Sequence, residues 1–178
     1  MSLYTSVALK LVTAGLLALV GCAAELAVKE SISDLRPLPA TGGPLQIKVQ
    51  PCTDRTETVG RDLGREATDA LVGKLKAARE FEVTNNGRYV VSCDVSTFVE
   101  GSAFKRWLMP GWGATTGQVA VMVMDSKTGE TIAIVRGHAT VAGGGLYSAG
   151  ADQIILASAL DDAVKQLRQL AVGVAPNK

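Results

Sequence analysis

The clearest chemistry in the sequence sits in four residues near its amino terminus, Leu19-Val20-Gly21-Cys22. An aliphatic residue, a branched one, a small one and a cysteine make a lipobox. A peptidase cutting ahead of Cys22 needs small side chains beside the scissile bond. Only the thiolate of Cys22 can take a thioether-linked diacylglycerol. The flanks agree: Met1 to Lys10 is a short, weakly basic leader, and Leu11 to Val20 is an uncharged apolar run. A membrane span needs about 20 apolar residues, so this run has the length of a signal-peptide core. The competing reading is an uncleaved anchor helix with an incidental cysteine. Cleavage predicts a lipoprotein signal peptide over 1–21 and a mature chain starting at lipidated Cys22. Two acyl chains plus an amide-linked third, of the palmitate class, then hold it durably. A single chain, at about 0.8 kcal/mol per buried CH₂, binds reversibly. Residue 23 is alanine, not an acidic residue that would favour inner-membrane retention, so the expected location is the outer membrane with the domain in the periplasm.

The other two cysteines, Cys52 and Cys93, fit export as well. In an oxidising compartment they can pair if their strands are neighbours with Cα atoms within about 7 Å. Otherwise they are two buried thiols behaving as small apolar residues.

The remaining candidates for chemistry fall short of a catalytic constellation. His138 is the one histidine in the chain, and one His without paired cysteines makes no ordinary zinc site. A triad with Ser148 or Ser158 lacks a Gly-x-Ser-x-Gly elbow. Gly143-Gly144-Gly145-Leu146-Tyr147-Ser148-Ala149-Gly150 lies between a strand and a helix, where phosphate loops sit. It departs from both nucleotide fingerprints, with Ser148 where a Gly is needed and Ala151-Asp152 in place of Lys and Ser or Thr. Asp152 also puts an anion in the first helical turn. Asp161 and Asp162 are adjacent on a helix and point about 100° apart, which reads as a solvated surface. Asp54, Glu57 and Asp62 lack the pattern of a calcium loop. The expectation is a non-enzyme with no metal, cofactor, nucleotide or nucleic-acid partner.

The most unusual stretch is Phe104-Lys105-Arg106-Trp107-Leu108-Met109-Pro110-Gly111-Trp112-Gly113, which holds both tryptophans of the chain. Trp beside Lys and Arg suits a bilayer interface. It suits a protein-binding hot spot equally. The plain alternative is a hairpin loop folded back on the sheet, burying its own Trp side chains. The contact-surface reading takes Phe104, Lys105, Arg106, Trp107, Leu108, Met109 and Trp112 as its residues.

The elements that position these groups follow from periodicity. Removing residues 1–21 from a chain of 178 leaves 157, the length of one domain. Hydrophobic residues make up 47% of the chain, enough for a core. Without Lys10, 17 basic residues face 17 acidic ones, so there is no global charge to attract nucleic acid. Self-repulsion is correspondingly weak, which favours a partner or an oligomer. Residues 22–44 read as a tether, with a short helix over Glu25 to Ile32 ended by Pro and Gly. Leu45 to Gln50 alternates as a first strand. Leu63, Ala67, Leu71, Leu75 and Ala78 stripe a helix over Arg61 to Arg79. Phe81 to Thr84 is a short strand, with Asn85-Asn86-Gly87 as a hairpin turn. Tyr89 to Val99 alternates cleanly, with one buried face. Gln118 to Met124 is apolar on both parities and predicts a strand covered on both sides. Thr131 to Val141 returns. Ser148 caps a last helix through about Leu170. The single domain spans 45–171, and 172–178 is a flexible tail. Together these predict an α+β fold: a two-layer sandwich, with a mostly antiparallel sheet of four to five strands and two helices on one face.

A Gly-rich segment, an apolar strand, Asp125-Ser126-Lys127-Thr128-Gly129-Glu130, a returning strand, Gly143-Gly144-Gly145 and a terminal helix resemble a family of bacterial lipoproteins, domain of unknown function 4410. The resemblance covers roughly Leu45 to Leu170. More distantly, the first strand, loop and helix resemble the periplasmic α/β module of the curli secretion lipoprotein and of the amino-terminal domain of the Tol translocation protein. The resemblance implies an envelope role and supplies no catalytic residues. The expected function is a non-enzymatic outer-membrane lipoprotein. Its periplasmic domain mediates contacts or assembly, with the membrane engaged through Cys22 and a protein partner or self-association beyond it. The alternative is a subunit of a lipid-anchored oligomeric ring or secretion channel.

Overall fold

The computed structural model describes residues 26–28, 31–35, 38, 42–109, 112–142 and 150–172. The stretch expected as a signal peptide, Cys22, the Gly143 to Ala149 loop with Ser148, and the tail from residue 173 lie outside the described residues.

Leu45 and Ile47 are buried and Gln46 and Lys48 exposed, which makes Leu45–Val49 a strand (β3) with one face inward. A two-residue strand, Thr53–Asp54 (β4), continues the chain after Pro51. Helix α1, Leu63–Ala77, starts at Asp62, whose side chain accepts from the Arg65 N–H at 2.9 Å. This satisfies one of the unpaired donors of the first turn. Its Leu63, Ala67, Leu71 and Leu75 are all buried. After Phe81–Val83 (β5) come three strands of eleven residues each: Tyr89–Val99 (β6), Thr115–Asp125 (β7) and Thr131–Val141 (β8). A six-residue helix, Ala103–Leu108 (α2), sits in the β6–β7 connection. Helix α3, Ala151–Ala171, closes the domain. Two strands lie ahead of these, Leu26–Val28 (β1) and Ser31–Leu35 (β2).

The sheet is a single open one, mixed in direction, with six lanes in the order β1-β8-β7-β6-β3-β5. β2 extends the outer edge of β8 beyond β1, and β4 extends the edge of β6 beyond β3. β6, β7, β8 and the two leading strands pair antiparallel, whereas β3 pairs parallel with both β5 and β6. Helix α1 is the crossover that makes β3 and β5 parallel, because a parallel return needs a long connection. Helix α3 packs on β7 and β8, α1 packs on β5 and β6, and the two helices touch each other. Both cover the face that carries Tyr89, Val91, Val95, Val121, Val135 and Ala139, all buried.

Several expectations are corrected here. The sheet has six lanes and is mixed, where four to five mostly antiparallel strands were expected. The short helix expected over Glu25 to Ile32 is replaced by β1 and β2. Further along the segment expected as a tether, Leu38 is buried, its N–H donating to the Leu170 carbonyl at 3.2 Å. Asn85-Asn86-Gly87 is not a hairpin turn. β3 lies between β5 and β6, and the chain crosses over it at Gly87, where a Cβ would stand 2.3 Å from the Ile47 carbonyl carbon. Lacking that atom, Gly87 lets one backbone pass against another. β7 is central but covered on one face only: Ala120, Met122 and Met124 on the other face are half-buried. Both long helices are used on the opposite side. The amino-terminal cap of α3 is Gly150, with no side-chain bond, in place of Ser148.

Candidate functional site

The β6–β7 connection folds into a closed turn. The Ser102 N–H donates to the Gly113 carbonyl at 2.9 Å, and the Ser102 Oγ accepts from the Lys105 N–H at 3.3 Å as the α2 cap. The Met109 N–H donates to the Lys105 carbonyl and the Trp112 N–H to the Met109 carbonyl, each at 3.0 Å. Gly113 has φ +68, and a Cβ there would lie 2.8 Å from both the Lys105 Cβ and the Ser102 carbonyl oxygen. Only glycine fits that left-handed, crowded position. The turn is therefore braced from its base by backbone bonds.

Its apolar side chains face away from the domain. Phe104, Trp107, Leu108, Met109 and Trp112 are each between 48% and 61% exposed. The rings of Phe104 and Trp107 stand 5.9 Å apart, tilted at 33°. Lys105 is exposed beside them. The reading in which the loop folds back and buries its tryptophans does not describe this arrangement. A contiguous apolar surface of this kind usually marks an interaction site.

One cation anchors the end of the sheet from which the turn projects, and a disulfide ties the middle of β6. Arg61, ahead of α1, bonds Glu66, donates to the Asp152 carbonyl at 3.2 Å, and lies 3.8 Å from the Asp152 carboxylate and 4.0 Å from that of Glu100. Its guanidinium stacks on the Phe98 ring at 4.8 Å. The Glu66 hydrogen bond holds the Arg61 pKa above its ordinary value, against the opposing effect of burial. The first turns of α1 and α3 and the end of β6 are thereby tied together by one cation. Cys52 and Cys93 form a disulfide with Cα atoms 4.6 Å apart, joining the segment after β3 to the middle of β6.

Of the remaining candidates, His138, Asp162, Asp54 and Asp62 make contacts within the fold. His138 lies on the open face of the sheet in a shallow cleft of about 470 Å³ with Ser96, Gln118, Ala120 and Arg136. Its Nε2 meets the Thr140 Oγ1 at 3.0 Å. The Asp162 carboxylate reaches the His138 backbone N–H, at 3.3 Å, and not the ring. Asp54 accepts from the Thr56 N–H and hydroxyl, and Asp62 caps α1. No cluster of three metal-ligating side chains occurs among the described residues.

Asp162 is a correction: it is buried, not solvated. β1 pairs with β8 as far as Ala139, and β2 begins at Arg136. In the gap between the two, Asp162 bonds the His138 N–H, and the buried Gln166 donates to the Arg136 carbonyl at 2.9 Å. These two side chains supply hydrogen bonds to backbone groups there, which buried N–H and carbonyl groups require. The sequence signal was a polar pair at i, i+4 inside an apolar stripe.

Comparison with known proteins bears on the fold and the family. A family model described as domain of unknown function (DUF4410) matches residues 29–145. No curated protein matches. Among solved structures, a PelC dodecamer from Paraburkholderia phytofirmans is 21% identical, with a TM-score of 0.51, covering 76% of this chain and 97% of that one. The hypothetical protein CT253 from Chlamydia trachomatis is 11% identical, with a TM-score of 0.53, covering 73% of this chain and 99% of that one. At these identities the likeness is one of fold.

Proposed function

We propose that this chain, which belongs to the DUF4410 family, is a lipoprotein of the bacterial outer membrane that works by contact and not by catalysis. The observation that carries this reading is the braced α2 turn, with its five large apolar side chains turned outward. A domain that exposes such a surface, and whose only histidine and buried acid serve the sheet, is organised for docking. Cys22 supplies the anchor, and the domain faces the periplasm. Replacing Cys22 with serine is expected to abolish acyl labelling and to move the protein from the outer-membrane fraction to the soluble fraction. Retention in the membrane fraction without label would remove the lipoprotein reading.

A second reading, self-assembly into a ring, is favoured by the fold it shares with a protein that forms a dodecamer. Light scattering of the acylated protein, with detergent subtracted, separates the two. A single chain of about 16–17 kDa, as for one domain of this length, leaves only the accessory role. A discrete multiple makes self-assembly the function.

A further inference from the structure

Resting on the Cys22 anchor just proposed, we infer that the α2 turn is a membrane foot. In this assignment Phe104, Trp107, Leu108, Met109 and Trp112 seat in the headgroup and upper acyl region of the leaflet that holds the lipid of Cys22. The sheet register carries the inference. The chain enters the sheet at Leu26, opposite Val141, the last residue of β8. Val141 is in turn opposite Thr115, the first residue of β7. Thr116 lies opposite Val99, the last residue of β6. The lane nearest the anchor and the α2 turn therefore leave the sheet at the same end. Two strand spacings separate Leu26 from Thr115, about 10 Å at the ordinary distance between neighbouring strands.

The length of chain outside the sheet then limits the choice of occupant. Four peptide steps separate Cys22 from Leu26, and even fully extended they span no more than about 14 Å. A lipid in the bilayer at Cys22 thus holds this end of the sheet within a short distance of the headgroups. The aromatic surface is already there. Its composition suits that depth: indole rings take the interface, and Lys105 can reach lipid phosphate along its apolar stem. The acidic groups near the same end, Glu100 and Asp152, are held by Arg61. They offer anionic lipid less repulsion than free carboxylates would.

The experiment needs no label, because Trp107 and Trp112 are the only tryptophans. The full acylated chain is reconstituted into phosphatidylethanolamine–phosphatidylglycerol vesicles, and its acylation is checked by mass. The expected result is emission at shorter wavelength than in detergent-free buffer, loss of quenching by aqueous iodide, and quenching of about half or more of the emission by acyl-brominated lipid, as for side chains at the interface. A Phe104→Ser, Leu108→Ser double variant keeps both tryptophans and is expected to lose most of the brominated-lipid quenching, with an unchanged circular dichroism spectrum. An acylated chain whose tryptophans stay open to iodide overturns the foot and leaves the anchor standing. Emission shifted but untouched by brominated lipid means another protein or a second copy covers the turn, and overturns it too. A chain that carries no acyl group removes anchor and foot together.

Discussion

Replacing Gly137 with valine is expected to destabilise the domain by about 4 kcal/mol or more, as an overpacked site whose obstacle is backbone. A Cβ at Gly137 would stand 1.8 Å from the Ala159 carbonyl oxygen and 3.0 Å from the Ala163 N. Neither atom can rotate away, since both belong to the α3 backbone. The helix would have to lift off β8, and with it the packing of Ile155, Leu160 and Leu167, all fully buried. The bonds that Asp162 and Gln166 make to the His138 N–H and the Arg136 carbonyl would stretch as well. Gly137→Ala is expected to cost somewhat less, because it adds one atom in place of three. Gly73 gives the opposite sign. It is exposed in the middle of α1 with nothing within 4 Å of its Cβ position. Gly73→Ala is therefore expected to stabilise by up to about 1 kcal/mol, the usual helix cost of glycine. Urea unfolding midpoints of the three variants decide the matter. An unchanged midpoint for Gly137→Val would mean that α3 does not seat on β8 at this point.

Loss of the Cys52–Cys93 disulfide is expected to have the next largest effect, about 3–4 kcal/mol for a loop of this length. The bridge closes a loop of 41 residues that contains β4, the whole of α1 and β5. Its release frees those elements in the unfolded chain, and that added freedom opposes refolding. In the folded state it also holds the short β4 lane, which pairs with β6 at Thr53↔Asp94, one residue from each cysteine. The Cys52 N–H donates to the Thr68 hydroxyl at 2.8 Å, so the same residue docks the first half of α1. A Cys52→Ala, Cys93→Ala double variant keeps the site apolar and isolates the cross-link. Its melting temperature is expected to fall by roughly 10 °C, at 2–4 °C per kcal/mol for a domain of this size. Dithiothreitol is expected to move the wild-type protein toward the same value and to leave the variant where it is. If the reductant shifts both proteins equally, or neither, the bridge is not the cause.

Much of the local structure was legible from residue pattern, and the reasons are local. The alternation of Tyr89 to Val99 predicts the strand, because it has no helical counterpart, but its inward face holds only as far as Val95: a bulge between Val95 and Thr97 turns Phe98 inward and leaves Val99 exposed. The leucine and alanine stripes predict helices α1 and α3, with ends off by one or two residues where caps and fraying decide. The α2 helix was missed. Its six residues lie between Gly101 and Pro110, too short to show a period, although Ser102 ahead of Ala103-Phe104-Lys105 was a usable capping signal. The leading strands were missed for another reason. Leu26–Val28 and Ser31–Leu35 are strands because the edge of β8 is there to pair with, and nothing within the segment says so.

The residue pattern by itself carried the lipobox reading of the amino terminus, the period of each long element, and the presence of a Trp-rich turn unlike the rest of the chain. These depend on residue types a few positions apart. Only the tertiary structure decided lateral order. That order put β3 between β5 and β6, set Gly137 under Ala159, called Asp162 into the core, and brought the first lane and the aromatic turn to one end of the sheet. Such choices rest on contacts between residues tens of positions apart. Their energies come from close backbone approach and from pairing every buried N–H and carbonyl, and no local pattern records either.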